Sequence, residues 1–182
     1  MFSQDKTAGV LLVTTLALVS ACTGLPKGTS AISDFELDRY LGTWYEVARL
    51  DHSFERGLTD VTANYSLRDD GGVRVVNRGF DSEKGEWDEA TGKAYLVDAP
   101  DVGRLKVSFF GPFYGAYNIL DLDSENYQYA LVAGPRRSYL WILARSPELP
   151  EPILRSLLDE AGRLEFPVDE LIYVSHDRSR VK

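Results

Sequence analysis

Two histidines and one cysteine are the side chains from which covalent or metal chemistry would have to be built in this 182-residue sequence. His52 follows Asp51 and His176 precedes Asp177, pairings that can serve a metal ligand or a general base. No Gly-x-Ser-x-Gly elbow and no His-Glu-x-x-His stretch stands near either, so neither an activated nucleophile nor a metal-ligand spacing emerges. Both histidines read as solvated loop residues. The expectation is a protein that is not an enzyme and uses no metal or cofactor. Cys22 has no partner for an internal disulfide, which leaves a core filler, a reactive thiol or a point of attachment.

Its neighbours decide among these. Residues 10–21, VLLVTTLALVSA, are apolar over about half the length that a spanning helix needs. They end in Ser20 and Ala21, small residues that a signal peptidase accepts. Val19-Ser20-Ala21-Cys22 resembles the bacterial lipobox, in which the cysteine is acylated and becomes the first residue of a lipoprotein. Val19 stands where leucine is commoner, and Asp5 lies beside Lys6, the one basic residue of the leading segment. The reading is a lipoprotein signal peptide over 1–21, an acylated cysteine and Gly/Pro/Ser-rich tether over 22–34, and one domain over 35–177. Several acyl chains hold a protein at a bilayer where one does not. Thr23, in place of an aspartate after the cysteine, resembles lipoproteins sorted onward, so the expected location is the periplasmic face of the cell outer membrane. The chain has 28 acidic and 20 basic residues, a net charge of −8 that argues against nucleic acid as a partner.

The elements that must position any site are mostly strands. Val61, Ala63, Tyr65 and Leu67 alternate with Thr62, Asn64, Ser66 and Arg68, a half-buried strand. Asp69-Asp70-Gly71-Gly72 then tolerates a tight turn into 73–78, which makes a hairpin. Further extended segments fall at 91–97, 104–110, 114–120, 127–133 and 139–144, and with 42–50 there are eight. Such a set forms a sandwich or a closed barrel, and periodicity does not separate them. After Pro152, Ile153, Leu154, Leu157, Leu158 and Ala161 form one stripe of an amphipathic helix, and a last strand covers 170–176. Segment 139–143 is apolar on both faces, so the helix is expected to cover the outside of that strand.

Gly42-Thr43-Trp44-Tyr45 resembles the Gly-x-Trp signature on the first strand of lipocalins. Asn126-Tyr127 and Arg145 match two further regions of that family in order, although the usual Thr-Asp before the tyrosine is missing. "WYEVARLDHSFERGL" and "KVSFFGPFYGAYNILDLD" are similar to bacterial outer-membrane members of its apolipoprotein D branch. The resemblance implies an all-β fold: an eight-stranded antiparallel up-and-down barrel, one C-terminal α-helix packed outside, and a final short strand. It also implies that Gly42, Trp44 and Arg145 build a structural floor, with the tryptophan ring against the guanidinium.

Taking Trp44 and Arg145 as inward fixes the alternation. The candidate ligand cavity then comprises Glu46, Ala48, Ala63, Tyr65, Asn77, Ala94, Val107, Phe109, Tyr117, Tyr139 and Trp141, with Gly92 adding room. Arg49, Arg56 and Lys93 are read as solvated near strand ends, and Glu46 as the one inward carboxylate, in need of a partner. Small residues facing aromatic ones suit a long apolar ligand, and the family resemblance implies a fatty acid or lysophospholipid, stored or transported for membrane maintenance under stress. The alternative is a structural or interaction lipoprotein of the envelope with a filled barrel, docking through Phe109 to Tyr114. That same patch would serve a homodimer contact.

Overall fold

The computed structural model describes residues 23–177. Cys22 and the signal segment lie outside the described residues. Strands dominate because β-branched and aromatic residues alternate with polar ones along short runs closed by Gly and Asp turns. They are β1 (Gly42–Arg49), β2 (Leu58–Leu67), β3 (Val73–Asp81), β4 (Glu86–Leu96), β5 (Arg104–Ser108), β6 (Gly115–Leu122), β7 (Tyr129–Ala133), β8 (Leu140–Ala144) and β9 (Ile172–Tyr173). One helical turn, α1 (Leu37–Tyr40), precedes them, and α2 (Glu151–Arg163) follows β8.

From β1 to β8 each strand pairs antiparallel with the next, and β1 pairs with both β8 and β2, so the sheet closes on itself. Closure removes the exposed edges that an open sheet would carry. The seam between β1 and β2 is paired only over Gly42 to Tyr45. Above it, β9 takes up the free edge of β1 at Ala48 and Arg49. Asp60 N donates to Ser175 O at 2.9 Å, so the same segment also holds the start of β2. The last strand is thus shorter than the sequence pattern suggests, and its work is to close a split seam.

Two apolar clusters divide the buried side chains. One fills the lower barrel with Phe35, Tyr40, Trp44, Tyr65, Ile119, Tyr127 and Val132 among others. The second lies outside, where Leu157 and Ala161 of α2 pack with Leu131, Leu140 and Ile142 on the outer faces of β7 and β8. The two-faced apolar strand is therefore covered by the helix, as its composition predicts. Segment 23–34 runs along the barrel, with Pro26 buried, Ile32 N donating to Ile119 O and Gly103 N donating to Ile32 O, both at 3.0 Å.

Candidate ligand site

The closed end is built around one ring. Trp44 has no exposed surface. Its Nε1 donates to Tyr40 O at 2.8 Å, and its ring stacks on Tyr40 with centroids 4.6 Å apart. The Arg145 guanidinium lies 4.0 Å from the Trp44 centroid and donates to Thr43 O, Arg39 O and Tyr127 O at 2.9, 2.8 and 3.2 Å. Two of those carbonyls belong to segments that α1 and the β6–β7 turn bring across the barrel end, so one side chain ties the plug to the wall. Gly42 sits at φ +93°, and a Cβ there would stand 3.3 Å from Arg145 Nη1, which is why the position calls for glycine.

Above the floor three phenols meet. Tyr40 and Tyr117 share a hydrogen bond of 2.7 Å, and Tyr65 OH donates to Tyr117 OH at 3.0 Å. Burial pushes all three phenols well above their ordinary range, so they stay neutral hydrogen-bonding groups.

Higher still lies a buried charge cluster. Arg49 Nη1 donates to Glu46 Oε1 at 2.6 Å, with side chains only 2 and 4% exposed. Arg49 Nη2 donates to Glu55 O at 2.8 Å, which fixes the β1–β2 loop over the barrel mouth. Glu55 in turn accepts from Trp141 Nε1 at 3.0 Å. Desolvation and the neighbouring Glu55 push the Glu46 carboxyl up, to about 8, against the pull of Arg49. Desolvation likewise raises Glu55. His52 stacks on Tyr139 at 4.8 Å and on Phe54 at 5.4 Å, and burial with the Arg49 charge pushes its imidazole down to about 4. Arg49 Nε and His52 Nε2 are buried without a hydrogen-bond partner among the described residues.

The walls hold most of the residues that alternation selects. Ala63, Tyr65, Ala94, Val107, Phe109, Tyr117 and Trp141 belong to the inner cluster. Asn77 pairs across the sheet with Ala63, its Oδ1 buried and without a partner among the described residues. Tyr139 precedes β8 at the rim, against His52. Ala48 does not face the interior: it packs in the outer cluster under α2. The β1–β8 register shifts between Glu46 and Ala48, so Val47 is a bulged extra residue and the alternation slips by one. That slip turns Arg49 inward, which corrects its reading as a solvated rim residue. His52 is only 4% exposed and is no loop ornament either. Gly92 makes room for a neighbour, not for a ligand, because a Cβ there would meet the Phe109 ring at 2.8 Å. Leu67 ends β2 at the surface, 56% exposed.

Neither histidine forms a dyad with its sequence neighbour. Asp51 is held by Arg56, and His176 Nε2 lies 2.8 Å from Glu46 O. Among the described residues no three of His, Cys, Asp and Glu gather as a metal site would require. The arrangement suits reversible binding by burial and hydrogen bonding.

A barrel plugged at one end, with apolar walls and a polar cluster beneath its other rim, is a cup of the small-molecule-binding class. The chain belongs to the lipocalin family, whose lipocalin-like domain matches residues 35–176. It is 53% identical over 165 residues to "Outer membrane lipoprotein Blc" of Vibrio cholerae, covering 91% of this chain and 96% of that one. Mouse apolipoprotein D is 35% identical over 134 residues, 69% of each chain. The solved structure of insecticyanin from the tobacco hornworm Manduca sexta superposes with a TM-score of 0.70 at 19% identity, over 86% of this chain and 89% of that one.

Proposed function

We propose that this protein holds one single-chain lipid, a fatty acid or a lysophospholipid, and stores or carries it at the outer membrane for membrane maintenance under envelope stress. The observation that carries the reading is a contrast inside the barrel. Floor residues such as Trp44 and Ile119 are fully buried, whereas Ala63, Asn77, Val107, Phe109 and Tyr117 point inward yet remain half-buried, leaving surface that only an occupant would cover. Burying ~14 methylenes at ~0.8 kcal/mol each gives about 11 kcal/mol as an upper figure. Association costs of roughly 4 to 15 kcal/mol offset much of it, which leaves affinities from micromolar to nanomolar. Arg49 Nε and His52 Nε2 supply polar atoms without described partners for a headgroup at the upper end, and Asn77 Oδ1 supplies another midway along β3. Acylation of Cys22 would keep the cup beside its source of ligand, in keeping with the lipoprotein name that the Vibrio relative bears.

The test is titration of delipidated protein with palmitate and with a lysophospholipid, following tryptophan fluorescence. Trp141, inward beneath the rim, should report filling. Saturation at one ligand per chain, lost in Ala63→Trp or Ala94→Trp, is the expected result. A folded, lipid-free protein that answers neither lipid overturns the reading. One observation favours the envelope-interaction alternative: Phe110 and Phe113, 81 and 78% exposed, crown the β5–β6 loop at the rim. A second copy of the chain is the occupant of that patch in this reading, and sedimentation equilibrium of Phe110→Ser/Phe113→Ser against the parent protein decides it.

A further inference from the structure

The outer face of β3 to β5 carries charge of the wrong sign for this chain. Helix α2 covers β7 and β8 from outside, and among the described residues no helix covers β3 to β5. Val73 and Val75 point inward on β3, so Arg74 and Arg78 point out; Gly92 and Ala94 do the same for Lys93 on β4. Arg74 pairs across the sheet with Lys93, and Tyr95 with Lys106 of β5.

In a chain of net charge −8, these four cations share a face on which Glu89 stands opposite Arg78 and Asp70 accepts from Tyr95 OH at the edge. Arg155 and Arg163 of α2 are paired with Glu151 and Glu160 and Arg56 with Asp51, and on β5 itself Arg104 is paired with Asp98. Among the described residues no carboxylate lies within ion-pair distance of Arg74, Arg78, Lys93 or Lys106. Aromatic rings stand among them, with Arg78 3.9 Å from the Trp87 centroid and Lys106 5.2 Å from that of Tyr114. Cations mixed with amphipathic rings are what an anionic bilayer surface attracts and what sits well at headgroup level.

The start of the described chain lies on the same side. Thr23 O accepts from Arg104 Nη2 and Gly24 O from Asn118 Nδ2, both at 3.1 Å. Arg104 is two residues from Lys106 on β5, and Asn118 is its cross-strand partner on β6. Cys22 is therefore one residue from a point pinned beside the basic face.

We propose that the outer face of β3 to β5 lies against an anionic lipid surface, forming with the N-terminal anchor a two-point attachment that holds the barrel on its side. The anchor half rests on the acylated-Cys22 reading; the face stands on its own charge. Side-on, the barrel mouth opens along the bilayer surface, and α2, with three acidic residues against two basic ones, faces away.

The test uses the mature chain purified from membranes, its acylation checked by mass, in phosphatidylcholine vesicles with or without phosphatidylglycerol. Cys22 is the sole native cysteine and is consumed by acylation, so an introduced thiol is unique. A fluorophore on Thr91→Cys, outward on β4, is expected to be quenched by brominated lipid in the anionic vesicles only, and salt should reverse it. The same fluorophore on Ser156→Cys of α2 should be unaffected. The variant R74E/K93E/K106E should abolish quenching at 91, whereas R155E/R163E should leave it intact, with the urea midpoint of each confirming its fold. Equal quenching at 91 and 156, or quenching at 91 that ignores vesicle charge, overturns the proposal. If the mass shows no acyl group, the anchor reading falls and the face is still tested: flotation with anionic but not neutral vesicles upholds it, and no flotation overturns it.

Discussion

At the floor of the barrel Arg145 gives its guanidinium to three carbonyl oxygens and the Trp44 ring; at the mouth Arg49 lies deeper, faces two carboxylates and keeps Nε without a partner. Both are arginines at strand ends of one barrel, Arg49 closing β1 and Arg145 following β8, yet only Arg145 is satisfied by partners among the described residues. A buried polar group with all its partners stabilises a fold, and one without them costs free energy that something else can recover. The lower half is therefore finished as protein, while the upper half has the composition of a place where a ligand completes the hydrogen bonding.

Breaking the floor should have the largest effect. Trp44→Ala removes a fully buried ring and is expected to cost about 4 kcal/mol in urea unfolding. Arg49→Met comes next, because it leaves Glu46 and Glu55 buried without their cation. The expected loss is about 3 kcal/mol at alkaline pH, shrinking as acid protonates the pair.

Glu46→Gln sharpens the comparison through pH. Its carboxyl is raised from 4.5 to about 8, so the folded chain keeps a proton that the unfolded chain releases, and stability falls as pH rises through that window. Unfolding at pH 5, 6.5 and 8 should show that decline in the parent protein and a flatter profile in the variant. His52 works in the opposite sense. Its imidazole is lowered from 6.5 to about 4, so stability is lost as pH falls through that interval, and Glu46→Gln should leave this acid limb in place. The smallest effect belongs to Arg145→Lys, which keeps the charge but loses the fork that reaches three carbonyls. About 1 kcal/mol of stability should go, with ligand affinity unchanged.

Most of the wall was legible in the sequence because a strand has a fixed period of two. Once Trp44 is placed inside, Ala63, Tyr65, Ala94, Val107 and Tyr117 follow. Ala48 and Arg49 were not legible for the same reason: a single bulged residue at Val47 reverses the sense of everything after it, and no composition rule announces it. Glu55 and His52 were hidden by lying in a loop, where a polar residue usually means solvent. Here the loop folds over the rim and buries them. A cue did exist, since a carboxylate at Glu46 predicted to point inward demands a cation, and Arg49 is the nearest one in the chain.

By itself the sequence determined the strand count, the helix stripe, the floor motif and the apolar character of the walls, all of which are local periodicities or residue types at fixed spacing. Tertiary structure alone decided which side of the barrel stays bare and basic, how β9 closes the seam, and which buried polar atoms lack partners. Those depend on register, on bulges and on where loops come to rest, and each is set by contacts between residues far apart in the chain.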